Sequence, residues 1–119
     1  VFIVLICIAS IIVLTELTSN TATASTFIPI MGATALGLGQ DPLLLIIPAT
    51  LAASCAFMMP VATPPNTIAY ASGHLKISDM IKAGIWLNII SIIIIGVIIA
   101  LILGPVFDVE LNKIPIWAK

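Results

Sequence analysis

Two polar clusters, each enclosed by apolar sequence, carry most of the side chains in this chain that could do chemistry. The first is Thr15-Glu16-Leu17-Thr18-Ser19-Asn20-Thr21, continuing as Ala22-Thr23-Ala24-Ser25-Thr26, and seven of those twelve residues are Ser or Thr. The second is Val61-Ala62-Thr63-Pro64-Pro65-Asn66-Thr67. Their functional groups are neutral oxygens and amides, with Glu16 the one ionisable side chain among them. Hard neutral oxygens are what an alkali cation takes as ligands. Backbone N–H groups at a helix start suit an anion, and Ser, Thr and Asn are the residues that open helices. Acyl-transfer chemistry would need a nucleophile beside a base. Ser19 and Ser54 have no His or Lys near them in the sequence, so an enzyme is not expected. One His and two distant cysteines, Cys7 and Cys55, give no metal-ligand cluster either.

These clusters have a plainer reading. The first could be a capped turn between two helices, or a set of hydroxyls bonded back to their own helix. The second could be a proline kink with a satisfied Asn. What favours chemistry is that both interruptions occur in one short chain and carry so many uncharged ligand groups. The chain has no Arg. An anion would therefore be held by neutral donors, helix termini and a bound cation, which itself argues for cation coupling.

The elements that must position these groups are membrane elements. The 119 residues are 61% hydrophobic and 8% charged, with a mean hydropathy of +1.32. Soluble domains average about 25% charged residues. Four scattered Lys and a net charge of −1 exclude a nucleic-acid partner; the partner of this surface is a lipid bilayer. The chain opens without Met inside an apolar run, Val1 to Leu14, with neither the basic start nor the small-residue cleavage site of a signal peptide. We expect it to continue a longer polypeptide.

Four apolar stretches follow one another: Val1–Leu14, Phe27–Leu38, Leu43–Met59 and the uncharged Ala83–Leu103. Ser19, Asn20 and Thr21 are expected to begin a helix ending at Gly37-Leu38-Gly39. Asp41-Pro42 reads as an N-cap with Pro at the first helical position. Leu43 to Met59 reads as one helix stopped by Pro60, with helix resuming after Asn66 for about two turns, to Gly73. Pro64 biases Thr63 towards extended backbone. Ala83–Leu103, at 21 residues, is the one stretch long enough to span a bilayer outright. Irregular backbone at membrane depth is tolerated only where protein buries it or a cavity runs beside it, so residues 15–21 and 62–67 are expected to line a site. Discontinuous helices of this kind aim half-helix N-termini at anions while freed oxygens coordinate Na⁺.

Charge gives little orientation. Lys76 and Lys82 lie near the last helix and favour the 73–82 loop as cytoplasmic. Asp108, Glu110, Lys113 and Lys119 make a charged tail, and Trp86 and Trp117 suit interfacial anchoring. His74 reads as solvated, Glu16 as a structural residue bonding backbone N–H groups, Asn88 as an interhelical hydrogen bond, and Cys55 with Met58-Met59 as packing.

The run Thr15 to Ala24 resembles the second Ser-Asn-Thr motif of the divalent anion/sodium symporter family. Ala53-Ser54-Cys55-Ala56-Phe57-Met58-Met59-Pro60-Val61-Ala62-Thr63-Pro64-Pro65-Asn66-Thr67-Ile68 is similar to that family's sodium:sulfate/dicarboxylate signature, departing from it at Ala69. The resemblance implies an all-α membrane protein, the second half of an inverted-repeat elevator transporter. Residues 1–39 would form a re-entrant hairpin, 42–73 a broken transmembrane helix, 78–104 the last spanning helix and 105–119 a short tail, all within the transport domain. It implies a multi-pass inner-membrane protein, homodimeric through a scaffold domain outside this chain. Its activity would be sodium-coupled symport of a small dicarboxylate of the succinate, malate or fumarate class. Thr15, Thr18, Asn20 and Ala62 match sodium ligands in the family, and Ser19, Asn20, Thr21, Thr63 and Pro64 match substrate contacts. A sodium-independent exchanger or symporter of dicarboxylate, tricarboxylate or sulfate from the same family, or a truncated half-protein that needs a partner chain, are the alternatives.

Overall fold

The structure, a computed structural model, describes residues 2–107, 109 and 114–118, without the side chains at 104 and 117. The expectations for Asp108, Glu110, Lys113, Lys119 and the ring of Trp117 lie outside the described residues. Five α-helices follow in order: α1 (Phe2–Thr15), α2 (Asn20–Gly37), α3 (Leu43–Ala52), α4 (Pro64–Ala71) and α5 (Ile77–Phe107); a 3₁₀ turn (Ile116–Ala118) comes last. No strand occurs among the described residues.

Each boundary has a chemical cause. Helix α1 stops at Thr15, and Ser19 turns extended (φ −65°, ψ 137°) to cap α2, its hydroxyl accepting the Ala22 N–H at 3.3 Å. Helix α2 closes on Gly39, whose φ of +70° suits a residue without Cβ. The Gln40 N–H reaches the Ala35 carbonyl and the Gly39 N–H that of Leu36, a Schellman closure. The Asp41 carboxylate accepts the Leu43 N–H at 2.9 Å and Pro42 already has helical angles, which is the expected cap for α3.

Two expectations are corrected around α3 and α4. Helix α3 ends at Ala52 rather than running on to Met59, because the N–H groups of Phe57, Met58 and Met59 are drawn to the Glu16 carboxylate and are lost to any helical ladder. Helix α4 begins at Pro64, not after Asn66. The first helical positions need no N–H partner, so two prolines fit there, and extended Thr63 (φ −142°) caps them. The first interruption is therefore residues 16–19, and the second is 53–63.

Helix α5 starts earlier and ends later than the apolar run suggests. The Asp79 carboxylate reaches back to the Lys76 N–H at 3.4 Å while the Lys76 carbonyl takes the Asp79 and Met80 N–H groups, so polar residues extend the helix outward. Its stretch Ile77–Leu103 is 27 residues, about 40 Å at 1.5 Å per residue, enough to cross a hydrocarbon core with tilt.

Helix α3 is the hub, packing on α1, α2 and α5. Ile8, Ile11 and Ile12 of α1 meet Leu45, Ala49, Ala52 and Ala53, with Ala35 of α2 and Ile95, Ile99 and Leu103 of α5 in the same cluster. Small residues let helix backbones approach, and in lipid that close packing replaces hydrophobic burial as the source of association. Outward-facing Trp86, Ile93, Val97 and Leu101 are exposed along α5. Helix α4 buries none of its residues.

Candidate functional site

The two interruptions meet. Leu17, Thr18, Ser19, Asn20 and Thr21 from the first and the start of α2, and Val61, Ala62, Thr63, Pro64 and Asn66 from the second and the start of α4, line one open cleft of about 1210 Å³. Of the positions singled out in the sequence, Ser19, Asn20, Thr21, Thr63, Pro64, Thr18 and Ala62 all line it. Thr15 does not; it is fully buried behind the cleft. No Lys, Arg, His, Asp or Glu is among the lining residues.

Behind the lining is an unusual concentration of oxygen. The Thr15 hydroxyl lies 2.8 Å from Asn20 Oδ1 and 2.9 Å from the Ala53 carbonyl oxygen. One proton is available to three oxygens, so at any moment one of the two acceptors is left without it. That is a neutral, oxygen-rich locus of the kind a hard cation occupies. Ala53 was not among the residues read from the sequence, because a backbone carbonyl leaves no mark in residue type.

The two cap hydroxyls have a second valence. Ser19 Oγ accepts the Ala22 N–H and Thr63 Oγ1 accepts the Asn66 N–H at 3.4 Å. Each hydroxyl still has its own proton to donate into the cleft. The first-turn N–H groups of Asn20 and Thr21 precede the first intrahelical bonds of α2.

Other polar groups are structural. The Thr18 hydroxyl donates back to the Leu14 carbonyl at 2.9 Å and takes a 2.6 Å bond with Thr23 Oγ1, so its contribution to a cation would come from its main-chain oxygen. Asn66 donates its amide to the Ala56 and Met59 carbonyls at 3.0 and 3.1 Å, the satisfied Asn of the plainer reading, and so pins the second interruption from its far end. Thr67 donates to Pro60 at 2.6 Å.

Glu16 holds the same loop from the other side. Its carboxylate, 2% exposed, accepts the N–H groups of Phe57 (2.8 Å), Met58 (3.0 Å) and Met59 (3.0 Å), together with Asn88 Nδ2 (2.8 Å). The expected bonding of Glu16 to backbone N–H groups is thus what the molecule does. Asn88 does bond across elements, but to Glu16 in the turn rather than to another helix. Sequence reading missed this pairing. The signal was present: Glu16 is the one acid inside the polar clusters, and Asn88 is the one amide in α5.

Among the described residues all regular structure is helical, one helix is long and apolar enough to cross a membrane, and two helix interruptions meet at one cleft, an arrangement consistent with a segment of a membrane transporter. The chain belongs to the family described as the sodium:sulfate symporter transmembrane region, which it matches over residues 1–107. It is similar to the sodium-dependent dicarboxylate transporter SdcS of Staphylococcus saprophyticus, 40% identical over 111 residues, which is 93% of this chain and 21% of that protein. It is also similar to SdcS of Staphylococcus aureus, 46% identical over 99 residues, 83% of this chain and 19% of the relative. The chain spans about a fifth of the length of these relatives. The family is one of membrane transporters, not of enzymes, and the resemblance drawn from the two motifs is borne out.

Proposed function

We propose that this chain is the second-repeat part of the transport domain of a sodium-coupled dicarboxylate symporter, a multi-pass protein of the plasma membrane. Thr15 and Asn20 by their side chains, with Thr18 and Ala62 by main-chain oxygens, hold Na⁺. The Ala53 carbonyl adds a further oxygen. Ser19, Asn20, Thr21, Thr63 and Pro64 face one carboxylate of the substrate, taken to be of the succinate, malate or fumarate class. The observation that carries this reading is the Thr15–Asn20–Ala53 oxygen cluster directly behind the N-terminus of α2, so that a cation and an anion would sit side by side. Their mutual attraction then supplies what an absent Arg would otherwise supply. Support also comes from the relatives, whose names specify sodium and dicarboxylate.

In this reading the two interruptions move together as one body against a scaffold, in a homodimer built through parts outside this chain. The test is uptake of radiolabelled succinate by the complete protein in proteoliposomes, with K⁺ replacing Na⁺. Uptake should need Na⁺. The variant Asn20→Ala should lower it by about 10–100-fold, the worth of one hydrogen-bonded contact to a charged group, with the thermal unfolding midpoint little changed. Equal uptake in K⁺ makes the protein a sodium-independent exchanger, and uptake unaltered by Asn20→Ala removes the assigned site. The family's description names sulfate, so sulfate competing better than fumarate would reassign the substrate.

A further inference from the structure

Asn88 is the single amide side chain in the apolar stretch Ile77–Leu103 of α5 and is 6% exposed. Its Nδ2 donates to Glu16 Oε1 at 2.8 Å, across 72 residues of sequence. Its Oδ1 is buried with no partner among the described residues. A buried acceptor left unsatisfied is costly, and an aliphatic residue would pack there without that penalty. The group that the other half of the amide holds is therefore the place to look for a reason.

That group is the carboxylate on which the whole loop hangs. Glu16 gathers the N–H groups of residues 57–59, and Thr15, the residue before it, sits between Asn20 Oδ1 and the Ala53 carbonyl. Thr15 at the end of α1 and Glu16 beside it thus grip the second interruption at two points. Helix α5 comes in against both. One turn before Asn88, a Cβ on Gly84 would lie 2.6 Å from Met58 Cα and from the Phe57 carbonyl oxygen, so only glycine allows the approach that brings Asn88 to Glu16.

We propose that Asn88 is a positioning residue for the cation locus, acting through Glu16: by holding one carboxylate oxygen it fixes the rotamer that keeps the 53–59 backbone, and with it the Thr15–Asn20–Ala53 oxygens, in register. This rests on the cation-coupled reading above. Outer partners of metal ligands commonly change affinity about 10–100-fold when removed. The main-chain donors for the anion, the first-turn N–H groups of Asn20 and Thr21, lie at the start of α2 and bond to neither Glu16 nor Asn88. Loss of Asn88 therefore weakens cation binding selectively.

The experiment is Na⁺ titration of radiolabelled succinate uptake by the complete protein in proteoliposomes. In Asn88→Ala the Na⁺ concentration for half-maximal uptake should rise roughly tenfold, while uptake at saturating Na⁺, normalised to protein, stays within about twofold. A purely structural residue would lower the yield and the melting temperature and leave the half-maximal Na⁺ concentration where it was. Asn88→Ser, whose shorter hydroxyl does not reach Glu16, serves if the Ala variant does not accumulate. Glu16→Gln combined with Asn88→Ala should shift the titration no further than Glu16→Gln alone, since one acts through the other. Gly84→Ala, which drives α5 off Met58, should shift it in the same direction. A half-maximal Na⁺ concentration unmoved by Asn88→Ala or Asn88→Ser, or shifts that multiply in the double variant, overturns the inference. Asn20→Ala in the same assay separates the two levels. Uptake lost with Asn20→Ala but insensitive to Asn88 sinks this inference alone, whereas uptake retained with Asn20→Ala sinks the site as well.

Discussion

The two helix interruptions face the same cleft and are built on opposite plans. The first is four residues long, residues 16–19, and is followed by a helix whose first turn presents the N–H groups of Asn20 and Thr21. The second is eleven residues long, residues 53–63, and is followed by a helix whose first two residues, Pro64 and Pro65, have no N–H to present. The first is followed by main-chain donors at its helix start and the second is not, while a cap hydroxyl, Ser19 or Thr63, is common to both. The loop of the second also has its own N–H groups turned away, towards Glu16. In the proposed reading a cation would draw oxygens from both, Thr15 and Asn20 on one side and Ala53 on the other, while main-chain donors for the anion come from the start of α2 alone. Symmetric-looking motifs in sequence need not be symmetric in what they offer.

The comparison can be broken most severely at Glu16. Glu16→Ala leaves the N–H groups of Phe57, Met58 and Met59 and the Asn88 amide without their acceptor, at about 1–3 kcal/mol for each unsatisfied buried group. The purified protein should lose its cooperative thermal transition or melt far lower, and sodium-driven uptake should vanish; a normal melting curve would show that the second interruption does not depend on the first. Pro64→Ala probes the asymmetry directly. It gives α4 a first-turn N–H, and a helix-end donor of this kind contributes about 0.3–1 kcal/mol to an anion. The half-saturating succinate concentration should fall about threefold, with about 0.5 kcal/mol of stability lost through the freer unfolded chain. Weaker binding instead would make the pyrrolidine ring itself a contact. The smallest effect is expected at Thr18. Because its hydroxyl bonds to Leu14 and Thr23, Thr18→Ala should move the half-maximal Na⁺ concentration by less than about twofold, and a larger move in a Na⁺ titration would make the hydroxyl a ligand.

Residue type and spacing carried the caps, since cap chemistry is local. Ser19 and Asp41 act within three residues of themselves, and both were legible; Thr63 caps α4 just as locally, but the sequence reading began that helix after Asn66. The family and the meeting of Asn20 with Thr63 in one cleft were legible too, because prolines and clustered hydroxyls interrupt an apolar run openly. The ends of α3 and α4 were not. Leu43 to Met59 is apolar enough to be helix throughout, and what draws Phe57, Met58 and Met59 out of it is a carboxylate 41 to 43 residues away in sequence. Ala53 contributes through its backbone, which every residue has. The close approach at Gly84 was hidden in the same way, since a glycine in an isoleucine-rich helix says nothing of what lies against it.

Helix α4 is clamped at one end and bare along its length: Asn66 and Thr67 tie its first turn to the carbonyls of Ala56, Met59 and Pro60, while none of its eight residues is buried. Its far end, at the exposed Tyr70 and Ser72, is thus joined to the Thr63 hydroxyl beside the cleft by a single eight-residue rod, so one short helix connects the cleft to the outer surface of this chain.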